Sequence, residues 1–359
     1  MRWYPSWRNH RVYVGGSGAQ MHTEPAHRPV SVRDLLTHTS GITYGALLAG
    51  MPEHPIDDEY RSRKIRSVGV AQTMDEFMER LGEVPLRFQP GTAYQYSLGT
   101  DACGALVEKI SGMPFTKYLQ RTILEPLGMT ATTLDGSPAH AVHSTLDDVL
   151  RFVRELRSPR LVDPATAAEF STVQFASLGG IVPGVGRFDD CPWGLGTEIR
   201  GTKQPHWTGT RNSPATFGHF GGAGTLLWVD PVIDVACVAL TDRPFDEWSS
   251  DAVRLWPALA DAVAAEALDH RQPLGHGERL EPAHADRAHR LVADIGDDVR
   301  GAEIVAVELL GVRHVEFADE AGGAHREGLH RVFHLHGELG RHRFAVDRSR
   351  HNAHVSSPS

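Results

Sequence analysis

Through the first half of the chain, apolar residues recur at helical spacing. From Asp101, Cys103, Leu106, Val107 and Ile110 fall at i, i+3, i+4 and i+7, predicting an amphipathic helix that Gly112 closes. Pro114 opens another, with Phe115, Tyr118, Leu119 and Ile123 on one face and Gly128 beyond its end. Ser31-Val32-Arg33-Asp34 reads as a capping box, a serine cap with an acid three residues on, ahead of a short helix at 35–38 that stops before Gly41. Ser144-Thr145-Leu146-Asp147 repeats that signal and leads into Leu146, Val149, Leu150 and Val153 at the same period. Residues 74–81 read as one more helix, and residues 1–30, rich in Gly, His and Pro, read as loop.

Beyond residue 165 the pattern changes. Residues 193–200 predict a short strand, and the β-rich runs 225–229 and 232–240 flank Asp230-Pro231 as a hairpin. Residues 248–268 close the region as a helix whose Val253, Trp256, Leu259, Ala260 and Val263 make an apolar face able to cover a sheet. Helices first, then antiparallel strands and a final helix, predict an α+β fold. The expected division is one domain over 1–270, with a helical lobe at about 31–165 and a sheet with its final helix at about 166–270.

Residues 271–359 differ in kind: they hold no Lys, Cys, Met, Trp or Tyr, while residues 270–359 hold twelve of the 21 histidines. A fused small domain, suggested by the β-like run at 301–317, competes with a disordered extension and with translation of GC-rich DNA outside an ancestral frame. The expectation is one of the latter two.

Composition narrows the function classes. With 41% apolar and 23% charged residues the chain is globular in type, and a net charge of −9 argues against a nucleic-acid surface. No apolar run reaches the roughly 18 residues that span a bilayer, and the first residues lack the apolar core of an export signal, so the sequence as written reads as cytoplasmic with no membrane partner. Three widely spaced cysteines, Cys103, Cys191 and Cys237, make neither a disulfide framework nor a four-cysteine zinc site. His334, His336 and His342 have no acidic or thiolate partner at ligand spacing, so no metal and no cofactor are expected. There is also no G-x-S-x-G elbow, H-E-x-x-H, P-loop or G-x-G-x-x-G.

Three strings stand out: Leu35-Leu36-Thr37-His38-Thr39-Ser40-Gly41; residues 89–98, containing Tyr94-Gln95-Tyr96-Ser97-Leu98; and Gly218-His219-Phe220-Gly221-Gly222-Ala223-Gly224. Singly they read as a helix stop, a core tyrosine, a surface histidine and turn glycines. In this order and spacing, over roughly residues 1–270, they resemble the serine β-lactamase and penicillin-binding-protein-like superfamily, most closely its class C-like branch of esterases and D-amino-acid peptidases. The resemblance implies a helical lobe against an antiparallel sheet. It makes His38 and Ser40 packing and turn residues, Tyr96 the proton-transfer phenol, His219 with Gly221 the Lys/His-x-Gly motif, and Gly222 the donor of an oxyanion-hole N–H.

Two departures from that pattern matter. Leu98 stands where the family usually has an asparagine that contacts its lysine and a substrate amide, which tilts the expected substrate from amides to small carboxylic esters. More seriously, the family's nucleophile lies in Ser-x-x-Lys, and here Lys64, Lys109, Lys117 and Lys203 are preceded at i−3 by Arg61, Leu106, Pro114 and Arg200. Residues 1–30 resemble the segment that follows the family's nucleophile helix, so the chain is expected to start inside the domain, without that helix and its N-terminal strands. The resulting expectation is a serine hydrolase by lineage, acting on esters through an acyl-enzyme but inactive as these 359 residues. A non-catalytic remnant or binding module of the same fold is the alternative, and a histidine-rich metal-binding protein a distant third.

Overall fold

The computed structural model describes residues 3–45, 53–65, 72–140, 142–240 and 248–269; the whole of the 271–359 segment, with its three histidines of interest, lies outside them. The stretch read as loop contains an antiparallel hairpin, β1 (Arg11–Gly15) with β2 (His22–Pro25). Its period is invisible in sequence because only Val12 of the nine residues in its two strands is buried. Long-range backbone bonds hold it instead, Tyr13 N–H to the Leu86 carbonyl and Leu86 N–H to that of Arg11, both at 2.8 Å.

The helical lobe follows the capping signals closely. The Ser31 hydroxyl accepts from the Asp34 N–H at the start of α1 (Val32–Leu36), and the Asp34 carboxylate accepts in return from the Ser31 N–H and hydroxyl. Arg28 donates to both oxygens of that buried carboxylate, at 2.6 and 2.7 Å. Next come α2 (Ile56–Ser62), α3 (Met74–Gly82) and α4 (Gly99–Ser111), which enclose a core of Leu35, Ile42, Ile56, Phe77, Met78, Leu81, Leu98, Ala102 and Ala105. The buried stripe of α4 matches the predicted one only in part: Leu106 is buried and Cys103 packs against the core, but the stripe extends beyond them. Its small residues Ala102, Gly104 and Ala105 face inward, where a Cβ on Gly104 would come within 2.2 Å of Pro138, while Ile110 is 56% exposed. Close helix approach selects small side chains there, which an apolar count does not register. Gly112 does end the helix in the left-handed region, at φ 67°.

The single helix expected after Pro114 is three pieces: α5 (Phe115–Leu119), a π-turn at Gln120–Leu124 and α6 (Glu125–Leu127), closed by left-handed Gly128. After a small hairpin, β3 (Thr133–Leu134) with β4 (Val142–His143), comes α7 (Leu146–Arg157). Its cap is Thr145, whose hydroxyl accepts from Asp148 N–H, one residue later than the sequence signal suggested. Then follow α8 (Pro164–Ala168) and the hairpin β5 (Gly180–Val182) with β6 (Gly186–Phe188).

The main sheet comprises β7 (Glu198–Ile199), β8 (Phe217–Gly221), β9 (Thr225–Asp230) and β10 (Val235–Leu240), antiparallel in the order β10-β9-β8-β7. Of the strand expected at 193–200 only Glu198 and Ile199 pair, with Trp193 bridging back to Glu198. On one face, Leu150 and Val153 of α7 pack on Ile199, Phe217, Val229 and Val238. On the other, α9 (Trp248–Asp269) brings Trp256, Leu259, Ala260 and Val263 onto Leu226, Trp228, Val235 and Cys237. The architecture is α+β, as the element order implied. No helix among the described residues is long and apolar enough to cross a membrane.

Candidate active site

After α1 the chain turns sharply. His38 takes a left-handed φ of 56° and Gly41 one of 86°, where a Cβ would meet the Phe88 carbonyl oxygen at 2.5 Å. The turn lets residues 38–41 zip against 87–95: Arg87 N–H donates to the Gly41 carbonyl (2.7 Å), Gly91 N–H to Thr39 (2.8 Å) and Gln95 N–H to His38 (2.9 Å). Tyr96 is thereby fixed beside His38. The His38 Nδ1 lies 3.0 Å from the Ser97 hydroxyl, and its ring is wedged 4.5 Å from Tyr96 and 5.0 Å from Trp193. Burial, with His219 nearby, pushes its pKa down to about 3, so this imidazole is neutral and packs, as the family resemblance implied.

From the sheet side, β8 delivers His219 to the same place. Its Nε2 stands 3.5 Å from the Tyr96 hydroxyl across 123 residues of chain, and its Nδ1 stands 2.5 Å from the Phe220 carbonyl oxygen. A carbonyl can only accept, so Nδ1 carries the hydrogen and the Nε2 lone pair faces the phenol, which donates to it. Burial lowers the His219 pKa, partly offset by the Phe220 hydrogen bond and the charge of Glu198, so the ring is neutral. Burial also raises the Tyr96 phenol well above its ordinary value, and the neighbouring Tyr44, Asp101 and Glu198 all push the same way. At neutral pH the pair is a phenol O–H held toward an imidazole lone pair.

The pair sits in a ring cluster. Tyr44 stacks on Tyr96 at 5.7 Å and 8°, while Trp193 lies edge-on to His219 at 5.8 Å and 6.3 Å from Tyr96. Sequence reasoning passed over Tyr44 and Trp193; the only signal was an aromatic in Cys191-Pro192-Trp193-Gly194, a setting equally suited to a core residue. β7 pairs with β8 only at Phe217 and Gly218, so β8 is an interior strand over its first half and carries His219 to Gly221 past the end of β7. Gly221 ends the strand; its carbonyl accepts from Gly224 N–H at 3.0 Å, which places Gly222 at the exposed tip of the β8–β9 turn. Leu98 is placed apart from these residues. It has no exposed surface and packs in the helical-lobe core at the start of α4, where it offers a ligand nothing to touch.

A buried ionic cluster underlies the sheet edge. Glu198 accepts from Lys203 Nζ (3.2 Å), His206 Nε2 (3.0 Å) and Trp207 Nε1 (2.7 Å), all nearly inaccessible to solvent, and Lys203 also donates to the Ile199 carbonyl. These partners hold the Glu198 carboxyl far below the ordinary carboxylate range despite its burial. Lys203 is therefore committed, as is Lys109, paired with Asp75 at 2.8 Å. Among the described residues no group of three or more His, Cys, Asp or Glu side chains converges as a metal site.

The chain is 32% identical to a β-lactamase of known structure from Mycobacterium bovis, with a TM-score of 0.53, covering 74% of this chain and 96% of that one. It is 26% identical over 317 residues to the esterase EstB of Burkholderia gladioli, covering 74% of each. It is also 32% identical over 167 residues to a Mycobacterium tuberculosis protein, of whose length it spans only 39%. The Beta-lactamase family model matches residues 11–262, and the chain belongs to that family.

Proposed function

We propose that Tyr96, His219 and Gly222 form the proton-transfer and oxyanion side of a serine-hydrolase site directed at carboxylic esters. The contact that carries this reading is Tyr96 Oη to His219 Nε2 at 3.5 Å, made between two motifs far apart in sequence. A neutral phenol with a raised pKa is a poor base by itself. Its proton faces the His219 lone pair, so an attacking hydroxyl would give its proton to Tyr96 as Tyr96 passes its own to Nε2. The Gly222 N–H would then meet the developing oxyanion. The esterase relative supports esters over amides.

The 359 residues contain no Ser-x-x-Lys, and loss of a nucleophile in a serine hydrolase costs on the order of a millionfold. In this reading the purified chain therefore binds esters without turning them over. Incubation with p-nitrophenyl butyrate and a fluorophosphonate probe should yield neither hydrolysis nor a labelled serine. Fluorophosphonate-sensitive turnover would overturn it. The missing motif favours a second reading, a ligand-binding module with no catalytic role. An open frame upstream of Met1 encoding Ser-x-x-Lys would decide for the enzyme, and a stop codon there for the module.

A further inference from the structure

We propose that the indole N–H of Trp193, together with the hydroxyl of the neighbouring Tyr94 ring, anchors a carbonyl oxygen of an uncharged ester bound against Tyr96 and His219. The inference rests on the ester reading above and names the groups that would select the ligand. Trp193 and Tyr94 are each only 4% exposed, and neither Trp193 Nε1 nor Tyr94 Oη has a hydrogen-bond partner among the described residues. Buried polar atoms are nearly always paired, because leaving one unpaired costs about 1–3 kcal/mol. Two such atoms on rings 5.3 Å apart, in the cluster that holds His38, Tyr96 and His219, mark a place where a ligand atom, admitted as the rings part, completes the bonding. An indole N–H only donates, so that atom is an acceptor.

The charge of the acceptor follows from its surroundings. Glu198 and Asp101 act on Tyr96, Glu198 also acts on Tyr94, and both phenols are pushed up. Burial is the larger cause of both shifts, and it would equally strip a bound carboxylate of its hydration, whereas an ester carbonyl presents a comparable acceptor without net charge. Tyr94 is itself held in place by close packing, since a Cβ on Gly180 would lie 2.4 Å from its ring.

The test uses the full chain labelled with 15N at tryptophan and histidine and titrated with methyl butyrate. The Trp193 indole signal, assigned by its loss in Trp193→Phe, should move saturably. That of Trp228, whose Nε1 is also buried without a partner among the described residues but which packs beneath α9, should stay fixed. Trp193→Phe, which keeps an aromatic ring, should weaken binding about five- to tenfold, as expected for one hydrogen bond, and sodium butyrate should bind at least about tenfold more weakly than the ester. An ester that shifts the His219 ring signals while the Trp193 indole stays fixed overturns this inference and leaves the ester reading standing. Equal affinity for butyrate overturns the preference for an uncharged ligand. An ester that moves neither signal overturns both readings.

Discussion

Acidification from pH 8 to pH 5 should cost this fold about 4 kcal/mol through two buried histidines. His10 is 5% exposed, its ring edge-on to Trp7, and neither ring nitrogen has a hydrogen-bond partner among the described residues. Burial brings its pKa down to about 4, and that of His38 down to about 3. An unfolded histidine titrates near 6.5, so below that pH the unfolded chain takes up protons that the folded chain refuses. Stability is thus complete above about pH 6.5 and falls as pH drops toward the folded values, by about 2 kcal/mol per histidine at pH 5. His54, His206 and His219 are also depressed and add in the same direction. Carboxylates with lowered pKa, such as Asp34, Asp75 and Glu198, lose their contribution only below the ordinary carboxylate range, which leaves this window to the histidines. Urea unfolding followed by tryptophan fluorescence should show the midpoint dropping by about 1.3–2 M between pH 8 and pH 5, for a slope of about 2–3 kcal/mol per M. His10→Leu should remove about half of that drop. Equal midpoints at the two pH values, or an unchanged drop in His10→Leu, would refute the argument.

Two further perturbations test the packing around the site. Lys203→Met strands the buried Glu198 carboxylate and should cost about 3–5 kcal/mol in a thermal or urea melt; adding Glu198→Gln should recover part of it, and a single variant as stable as the parent would show that the pair is not buried as described. Gly180→Val drives a side chain into Tyr94 and should cost about 1–3 kcal/mol, with a change in near-ultraviolet circular dichroism as the aromatic cluster shifts; an unaltered spectrum would count against the Tyr94 packing.

Legibility tracked locality. Capping at Ser31 and the left-handed stops at Gly112 and Gly128 could be read directly, because a cap is decided within four residues of chain. The β9–β10 hairpin was equally plain, its turn marked by Asp230-Pro231 between two β-rich runs. The β1–β2 hairpin escaped notice because its stability comes from Leu86, more than sixty residues away. The stripe on α4 was legible only in part, through Cys103 and Leu106, because glycine and alanine pack there by being small. Tyr96 and His219 were marked by motifs, and the structure brings their side chains within 3.5 Å. Trp193 and Tyr94 were not singled out, since what distinguishes them is an unpartnered polar atom, a property of three-dimensional surroundings. Leu98 shows the reverse: its motif position suggested a ligand contact, and burial in the lobe core gives it a packing role.

Tyr96 hangs from the zipped turn of the helical lobe, whereas His219 hangs from the sheet; each half has its own hydrophobic core, and Tyr94 and Tyr96 reach across to pack on that of the sheet. The meeting of Tyr96 and His219 is therefore a gauge of how the halves dock. A local opening that slides one half by an ångström or two would part a 3.5 Å contact long before either core melts. Substitutions remote from both residues can then part that contact while leaving the melting curve intact, so the contact reports strain between the halves that a melt does not.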